Sequence, residues 1–266
     1  MEAELTRRAL VDNRRSLAGW TSGAAAYVLL IAAVFPSISG AGLDKLVEHY
    51  PDTLKSLFGI TGSGSLSTGS GFLDAELFSF MIPLLILVLA IGTGARLFAG
   101  EEDAGRLELV LAYPVRRSRA VLADAAAVAA EVVLVGLATG LALAIADPIF
   151  DLGLDGGNAA AAVSGVALLG LFYGWLGLAI GAATGNKAIA VGAAAGYAAL
   201  AYLASGLHSL AGWLDPFRFL SPFWWIGASP LQHGIRASGV MVVLAASAAV
   251  LAAGAWLVDR RDLEAP

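Results

Sequence analysis

The sequence predicts an all-α integral membrane protein with six transmembrane helices, and three observations carry that prediction. Apolar residues make up 58% of the chain and charged residues only 14%, with a mean hydropathy of +0.78, whereas a soluble domain carries roughly a quarter charged residues. The apolar residues gather in uncharged runs close to the roughly 20 residues that cross a bilayer core. These runs are rich in Ala, Leu, Val and Gly and do not alternate with polar residues, as the strands of a membrane barrel must. Helix is the state that remains, because lipid offers no partner to an exposed backbone N–H or C=O. Little of the chain is left over for a separate soluble catalytic domain.

The elements follow in order along a single transmembrane domain, residues 1–266. Residues 1–16 place Leu5 and Ala9 among Arg7, Arg8, Arg14 and Arg15, which suits an amphipathic elbow helix lying at the membrane interface. A solvated extension that orders against a partner is the alternative. Glu2, Glu4 and Asp12 and the long apolar run that follows do not match a cleaved signal peptide, so the first span is read as retained. The six spans are expected at about 17–35, 77–97, 121–146, 159–184, 188–210 and 237–258. The connection over 37–76 carries Asp44, Glu48, Asp52, Asp74 and Glu76 and a Gly/Ser stretch at 62–71, read as a flexible surface loop. Asp147, Asp151 and Asp155 read as solvated turn acids, since their spacing does not fit an EF-hand.

Charge sets the expected orientation, because Lys and Arg collect in cytoplasmic connections. With the N-terminus inside, the inner set holds Arg7, Arg8, Arg14, Arg15, Arg96, Arg106, Arg116, Arg117, Arg119, Lys187, Arg260 and Arg261, and the outer set Lys45, Lys55, Arg218 and Arg236. Both termini are therefore expected in the cytoplasm.

The connection between spans two and three, residues 100–124, is the most informative stretch. Glu101, Glu102 and Asp103 favour a helix N-terminus, Leu107, Leu109, Val110 and Leu111 supply an apolar side, and Pro114 ends or restarts the helix. A short cytoplasmic helix of this kind suits docking in a groove on another protein. A plain connecting loop anchored at the headgroups by Arg116, Arg117 and Arg119 is the alternative. The pattern Glu102, Gly105, Leu107, Glu108, Leu109, Leu111, Pro114, Val115 and Arg117 resembles the signature of ABC-2 type permeases, the membrane subunits of ATP-binding-cassette exporters. The ending Val258-Asp259-Arg260-Arg261-Asp262-Leu263 and the segment Leu220-Ser221-Pro222-Phe223-Trp224-Trp225 with Pro230-Leu231 are similar to that family as well. Ala123-Asp124 departs from it, where many relatives carry Gly-Lys.

The resemblance implies an ABC-2, type V exporter-like permease fold in a prokaryotic plasma membrane, with a coupling helix over about 100–116. Glu101, Glu102, Gly105, Leu107, Glu108, Leu111, Pro114 and Arg117 would contact an ATP-binding subunit. Two copies of that subunit would assemble with a homodimer or heterodimer of permeases. ATP and Mg would be bound by the partner, and export is the implied direction. This chain has no Walker A loop; Gly181 to Lys187 lacks its spacing and reads as a short turn. It is therefore expected not to be an enzyme and to hold no cofactor and no catalytic residue of its own. No nucleic-acid partner is expected.

Four other features are weighed on the residues. Glu131, about ten residues into span three, is either a substrate-pathway group, as ionisable residues inside a membrane tend to be, or a structural carboxyl bonded to Thr93, Thr139 or a tyrosine. Gly170, Gly174, Gly177, Gly181 and Gly185, with Gly136 and Gly140 and with Gly192 and Gly196, form small-residue faces for close helix packing or a dimer seam. The cluster Trp213, Phe217, Phe219, Phe223, Trp224 and Trp225 is either an aromatic belt or a re-entrant segment. Arg96 and Asp124 either pair across the hairpin or reach to the headgroups. His49, His208 and His233 do not converge as metal ligands do, and no cysteine is present. A hydrophobic or amphipathic substrate fits an apolar, Ala/Gly/Leu-lined path, and the same composition fits packing alone. The competing functions are a membrane regulatory or immunity protein that transports nothing, and a membrane-embedded lipid-modifying enzyme, for which paired catalytic groups at one depth are missing.

Overall fold

The computed structural model describes residues 11, 13–38, 51, 66–103, 117–208 and 212–260. Among these residues every regular element is helical. The elements are α1 (Arg14–Ile38), α2 (Gly69–Leu97), α3 (Ala99–Asp103), α4 (Arg117–Phe150), α5 (Gly156–Thr184) and α6 (Lys187–Leu207). A 3-10 helix (Gly212–Leu220), α7 (Pro222–Ile226), α8 (Pro230–His233) and α9 (Ala237–Arg260) complete the order. Six of them, α1, α2, α4, α5, α6 and α9, are long and apolar enough to cross a membrane, as the sequence predicts.

The helix ends explain where the sequence reading falls short. Span two begins at Gly69 rather than near 77, so part of the expected flexible loop, together with Asp74 and Glu76, is helical. Thr68 caps this start by accepting from the Gly71 N–H at 3.1 Å. Residues 74–81 then form a π-helix before the α-helix resumes at Ile82. Spans three and six reach Arg117 and Arg260, beyond the apolar runs that announce them. Arg14 to Ser16, assigned to the elbow by sequence, belong to the first long helix, and the rest of the expected elbow, apart from Val11 and Asn13, lies outside the described residues.

The acids between spans three and four sit at a turn as the sequence predicts, Asp151 and Asp155 exposed and Asp147 part-buried, and two of them also bond backbone donors. Pro148 has no N–H to donate and α4 stops two residues later, where Asp151 adopts φ 51°, a left-handed conformation that Asp tolerates. Asp147 Oδ1 accepts from the Leu154 N–H at 2.9 Å, and Asp155 caps α5 by accepting from the Asn158 N–H at 2.8 Å. The next turn is equally short: Gly185 closes α5 at φ 67° and Asn186 caps α6 through the Ile189 N–H at 3.0 Å.

The long helices alternate in direction. The starts of α1, α4 and α6 and the ends of α2, α5 and α9 share one end of the bundle, the terminal end. The opposite, distal end holds the turn 151–155 and the segment 212–234. At the terminal end Asp259 accepts from the Ser118 N–H at 3.1 Å, tying the last helix to the start of α4.

Helix α5 packs against α2, α4, α6 and α9, and its glycine face lies on α2. The closest approach is at Gly94, where an added Cβ would run into the Gly174 carbonyl oxygen. Small residues permit such backbone contact where lipid supplies no hydrophobic drive to association. Gly136 and Gly140 of α4 face Val163 of α5, whereas the Gly192 and Gly196 positions of α6 meet nothing within 4 Å. The stripe on α5 is thus internal packing, and the pair on α6 is not part of it. Gly94→Val is expected to destabilise the bundle by on the order of 3 kcal/mol through overpacking, and Gly192→Ala by less than about 0.5 kcal/mol; unfolding of the purified protein in detergent distinguishes them.

Candidate functional site

An apolar groove of about 610 Å³ runs between α2 and α6. One wall is Phe80, Leu84, Leu87, Val88 and Ile91, the other Val191, Ala195, Ala198 and Tyr202. The one-sided helix pattern produces it: α2 presents large residues and α6 presents alanines at the facing positions, so the two do not close on each other. Val88 is 52% exposed and Leu84 40%, so the groove opens sideways out of the bundle. No charged side chain lines it. A site of this shape and lining accepts hydrophobic surface and discriminates by fit rather than by hydrogen bonding.

Aromatic rings close its distal end. Phe80 and Tyr202 lie with ring centroids 5.7 Å apart, and Tyr202 meets Phe223 edge-on at 5.5 Å. Phe223 also reaches Tyr173 at 5.7 Å, continuing the aromatic packing into the bundle behind the groove. Phe223 belongs to α7, which dips in from the distal end: Ile226 sits so close to Gly165 of α5 that a Cβ there would meet its Cγ2 at 2.7 Å. The aromatic cluster divides in two: Trp213, Phe217 and Phe219 are exposed on the 3-10 helix, and Phe223 with Ile226 forms a re-entrant wedge packed into the bundle.

The wedge is held at both ends. Tyr197 of α6 donates its hydroxyl to the Leu220 carbonyl at 2.5 Å, and the fully buried Ser221 donates to the Ala201 carbonyl at 2.7 Å. At the other end Asp74, read from sequence as a loop acid, is 1% exposed. Its Oδ1 accepts from the Leu231 N–H at 3.0 Å, and its Oδ2 accepts from the Gln232 N–H at 3.1 Å and the Gln232 side-chain amide at 3.3 Å. Pro230 opens α8 and Ser229 supplies no side-chain cap, so Asp74 satisfies the first-turn donors that a helix start leaves over. Asn158 of α5 adds a bond from its side-chain amide to the Gln232 carbonyl at 3.1 Å.

Glu131 is buried elsewhere. Its Oε1 accepts from the Asn13 side-chain amide at 2.6 Å and its Oε2 from the Thr93 hydroxyl at 2.7 Å. Thr93 is thus the partner among those expected, while Thr139 turns back to its own helix and donates to the Val135 carbonyl. Helix α4 begins at Arg117, so Glu131 lies roughly 20 Å along it at 1.5 Å per residue. Its partners sit at the start of α1 and near the end of α2. Glu131 is level with the terminal ends of spans one and two, and it does not line the groove.

Of the expected coupling residues, Glu101 and Glu102 lie half-buried on α3, and Arg117 opens α4. Gly105, Leu107, Glu108, Leu111 and Pro114 lie outside the described residues. Phe98, Val121, Leu178 and Val258 pack together beside this stretch, so α2, α4, α5 and α9 meet where it begins. Asp124 is half-buried there, with Arg96 and Glu101 in electrostatic reach.

Six helices long and apolar enough to cross a membrane, with a sideways-open apolar groove between two of them, define an all-α, multi-pass membrane protein. The chain belongs to the family described as multidrug efflux system permease Rv1217c, C-terminal domain, which it matches over residues 9–258. It is thus a permease component of a multidrug efflux type, and a component of that kind works with partners. No curated protein matches it.

Sequence reasoning missed Asp74 and the groove. Asp74 lies just past the Gly/Ser stretch at 62–71 and close to Glu76, so it reads as the edge of a loop, and only the proline-started α8 that it caps identifies its use. Glu131→Ala is expected to cost on the order of 2 kcal/mol, by leaving the buried Thr93 hydroxyl and the part-buried Asn13 amide without their acceptor. Glu131→Gln, which keeps one acceptor oxygen, is expected to cost less. Thermal unfolding in detergent measures both.

Proposed function

We propose that this chain is the membrane subunit of an ABC-2 type exporter, moving hydrophobic or amphipathic compounds out through the groove between α2 and α6. The groove is the observation that carries the reading. It is apolar, large enough for a drug-sized molecule and open to the bundle's side, so a compound dissolved in the bilayer reaches it without crossing water. The family match supports efflux of chemically varied compounds, and an uncharged, fit-based site suits that breadth.

The chain supplies no energy source in this reading. ATP and Mg are bound by a separate ATP-binding subunit, two copies of which grip the terminal end of a permease homodimer or heterodimer. Their grip falls on Glu101, Glu102, Gly105, Leu107, Glu108, Leu111, Pro114 and Arg117. The terminal end then faces the cytoplasm of a prokaryotic cell with both chain termini, and the distal end faces outward. The convergence of α2, α4, α5 and α9 beside this stretch supports it as the place where force enters the bundle. Nucleotide-driven movement there shifts the spans between conformations of different affinity for the compound, which is what net movement requires. The substrate path is placed at the groove and not at Glu131, whose two oxygens are already engaged by Asn13 and Thr93.

Two experiments test the reading. Co-purification with a Walker-motif ATPase encoded beside the gene, followed by a screen for compounds that stimulate its activity, is expected to yield a complex stimulated by lipophilic compounds. A chain that purifies alone and stimulates no ATPase argues for the non-transporting regulatory alternative. Glu108→Arg or Leu107→Asp is expected to abolish assembly or stimulation while leaving the melting temperature unchanged. Separately, Ala195→Phe fills the groove from an exposed position on α6 and is expected to lower efflux at least tenfold with assembly intact. Full efflux by that variant would move the path elsewhere.

A further inference from the structure

We propose that Asp74 is a positioning residue that latches the re-entrant wedge across the distal end of the groove, so that release of the latch opens the exit; this rests on the exporter reading above. The wedge joins the two groove walls. Its first half is fixed to α6 through Ser221 and Tyr197, and its second half to α2 through the Asp74 carboxyl. Between these ties Phe223 lies against Tyr202, which lies against Phe80, and Phe80 stands on the same π-helix as Asp74.

The two ties differ in kind. Ser221 and Tyr197 bond backbone carbonyls close by on the adjoining helix, so the first half moves with α6. Asp74 meets amide donors more than 150 residues away in sequence, and it is the polar contact that, beside the packing of the buried Leu231, keeps α8, and through it Phe223, from following α6 away from α2. Asn158 holds the same turn to α5, which packs closely on α2, so it backs the latch from behind without itself touching the α2 wall. A buried carboxyl with three donors is costly to leave half-paired, which makes the contact two-state: made with the exit closed, broken as a unit with the exit open. A π-helix at this point fits the role, since such irregular turns occur often at functional sites.

The experiment exploits the absence of cysteine from the chain. In the full transporter in membranes, Phe80→Cys with Tyr202→Cys, one on each wall of the groove, provides the only thiols of the permease, and a short bifunctional reagent reports whether the two positions are held together. Asp74→Ala in that background is expected to slow cross-linking at least fivefold, with Asp74→Asn intermediate because it keeps one acceptor oxygen. In the cysteine-free chain, efflux of Nile red and ethidium is expected to fall at least fivefold in Asp74→Ala while unstimulated ATP hydrolysis by the complex is retained, and Asp74→Asn is expected to recover part of the efflux. A structural role alone would lower both activities together. Unchanged cross-linking in Asp74→Ala overturns the latch, and unchanged efflux beside slowed cross-linking overturns its role in release. Should Asp74→Ala not reach the membrane, Asp74→Asn carries the same comparison, and an unchanged cross-linking rate there counts against the latch in the same way. A wild-type complex that exports neither dye but still shows Asp74-dependent cross-linking removes the exporter reading, and the release role with it.

Discussion

The contact between α5 and α2 is the interaction on which the bundle depends. In lipid the helices gain nothing from hiding apolar side chains from one another, so they associate through close fit and a few internal polar bonds. The glycine face of α5 lets the α2 backbone approach until Gly94 and Gly174 nearly touch. With α2 drawn onto α5 in this way, α4 and α9 fill the remaining sides. Helix α6 also packs on α5, but toward α2 it offers alanines where α2 offers leucine, valine and isoleucine. The groove exists because one neighbour of α2 fits closely and the other does not.

Polar side chains then fix the two ends of the bundle. At the terminal end Glu131 gathers Asn13 and Thr93, and Asp259 holds the start of α4. At the distal end Asp74, Asp147 and Asp155 each satisfy backbone donors at a helix start or turn. The two buried among them, Asp74 and Glu131, bond amide and hydroxyl donors, and a carboxyl satisfied in this way needs no second charge to be buried beside it. The groove itself is kept free of such groups, which leaves its selectivity to shape and to the rings that end it.

Parts of this arrangement are legible in the residues and parts are not, for definite reasons. The runs that become spans four and five are readable nearly to their ends because Asp155, Gly185 and Asn186 punctuate them with ordinary capping chemistry. Span two is not, because its first turns carry Gly, Ser, Asp and Glu, which hydropathy reads as a loop; those residues are helical because Thr68 caps them and α8 partners Asp74. Glu131 is conspicuous as an acid in an apolar run, and Thr93 is foreseeable as its partner. Its level in the bundle is not, because the apolar run does not reveal that α4 continues to Arg117 and that α1 starts opposite Glu131.

The amino-acid sequence by itself determined the class: helical, with six runs long and apolar enough to cross a membrane, since the hydrophobic length of each run and the need to satisfy backbone groups in lipid leave no other choice. Tertiary structure alone decided which faces meet. Periodicity is uninformative when a helix is apolar all round, so neither the groove between α2 and α6 nor the bond between Asp74 and α8 can be read along the chain. Both arise from residues far apart in sequence, brought together by glycine-permitted packing whose partners only the folded bundle specifies.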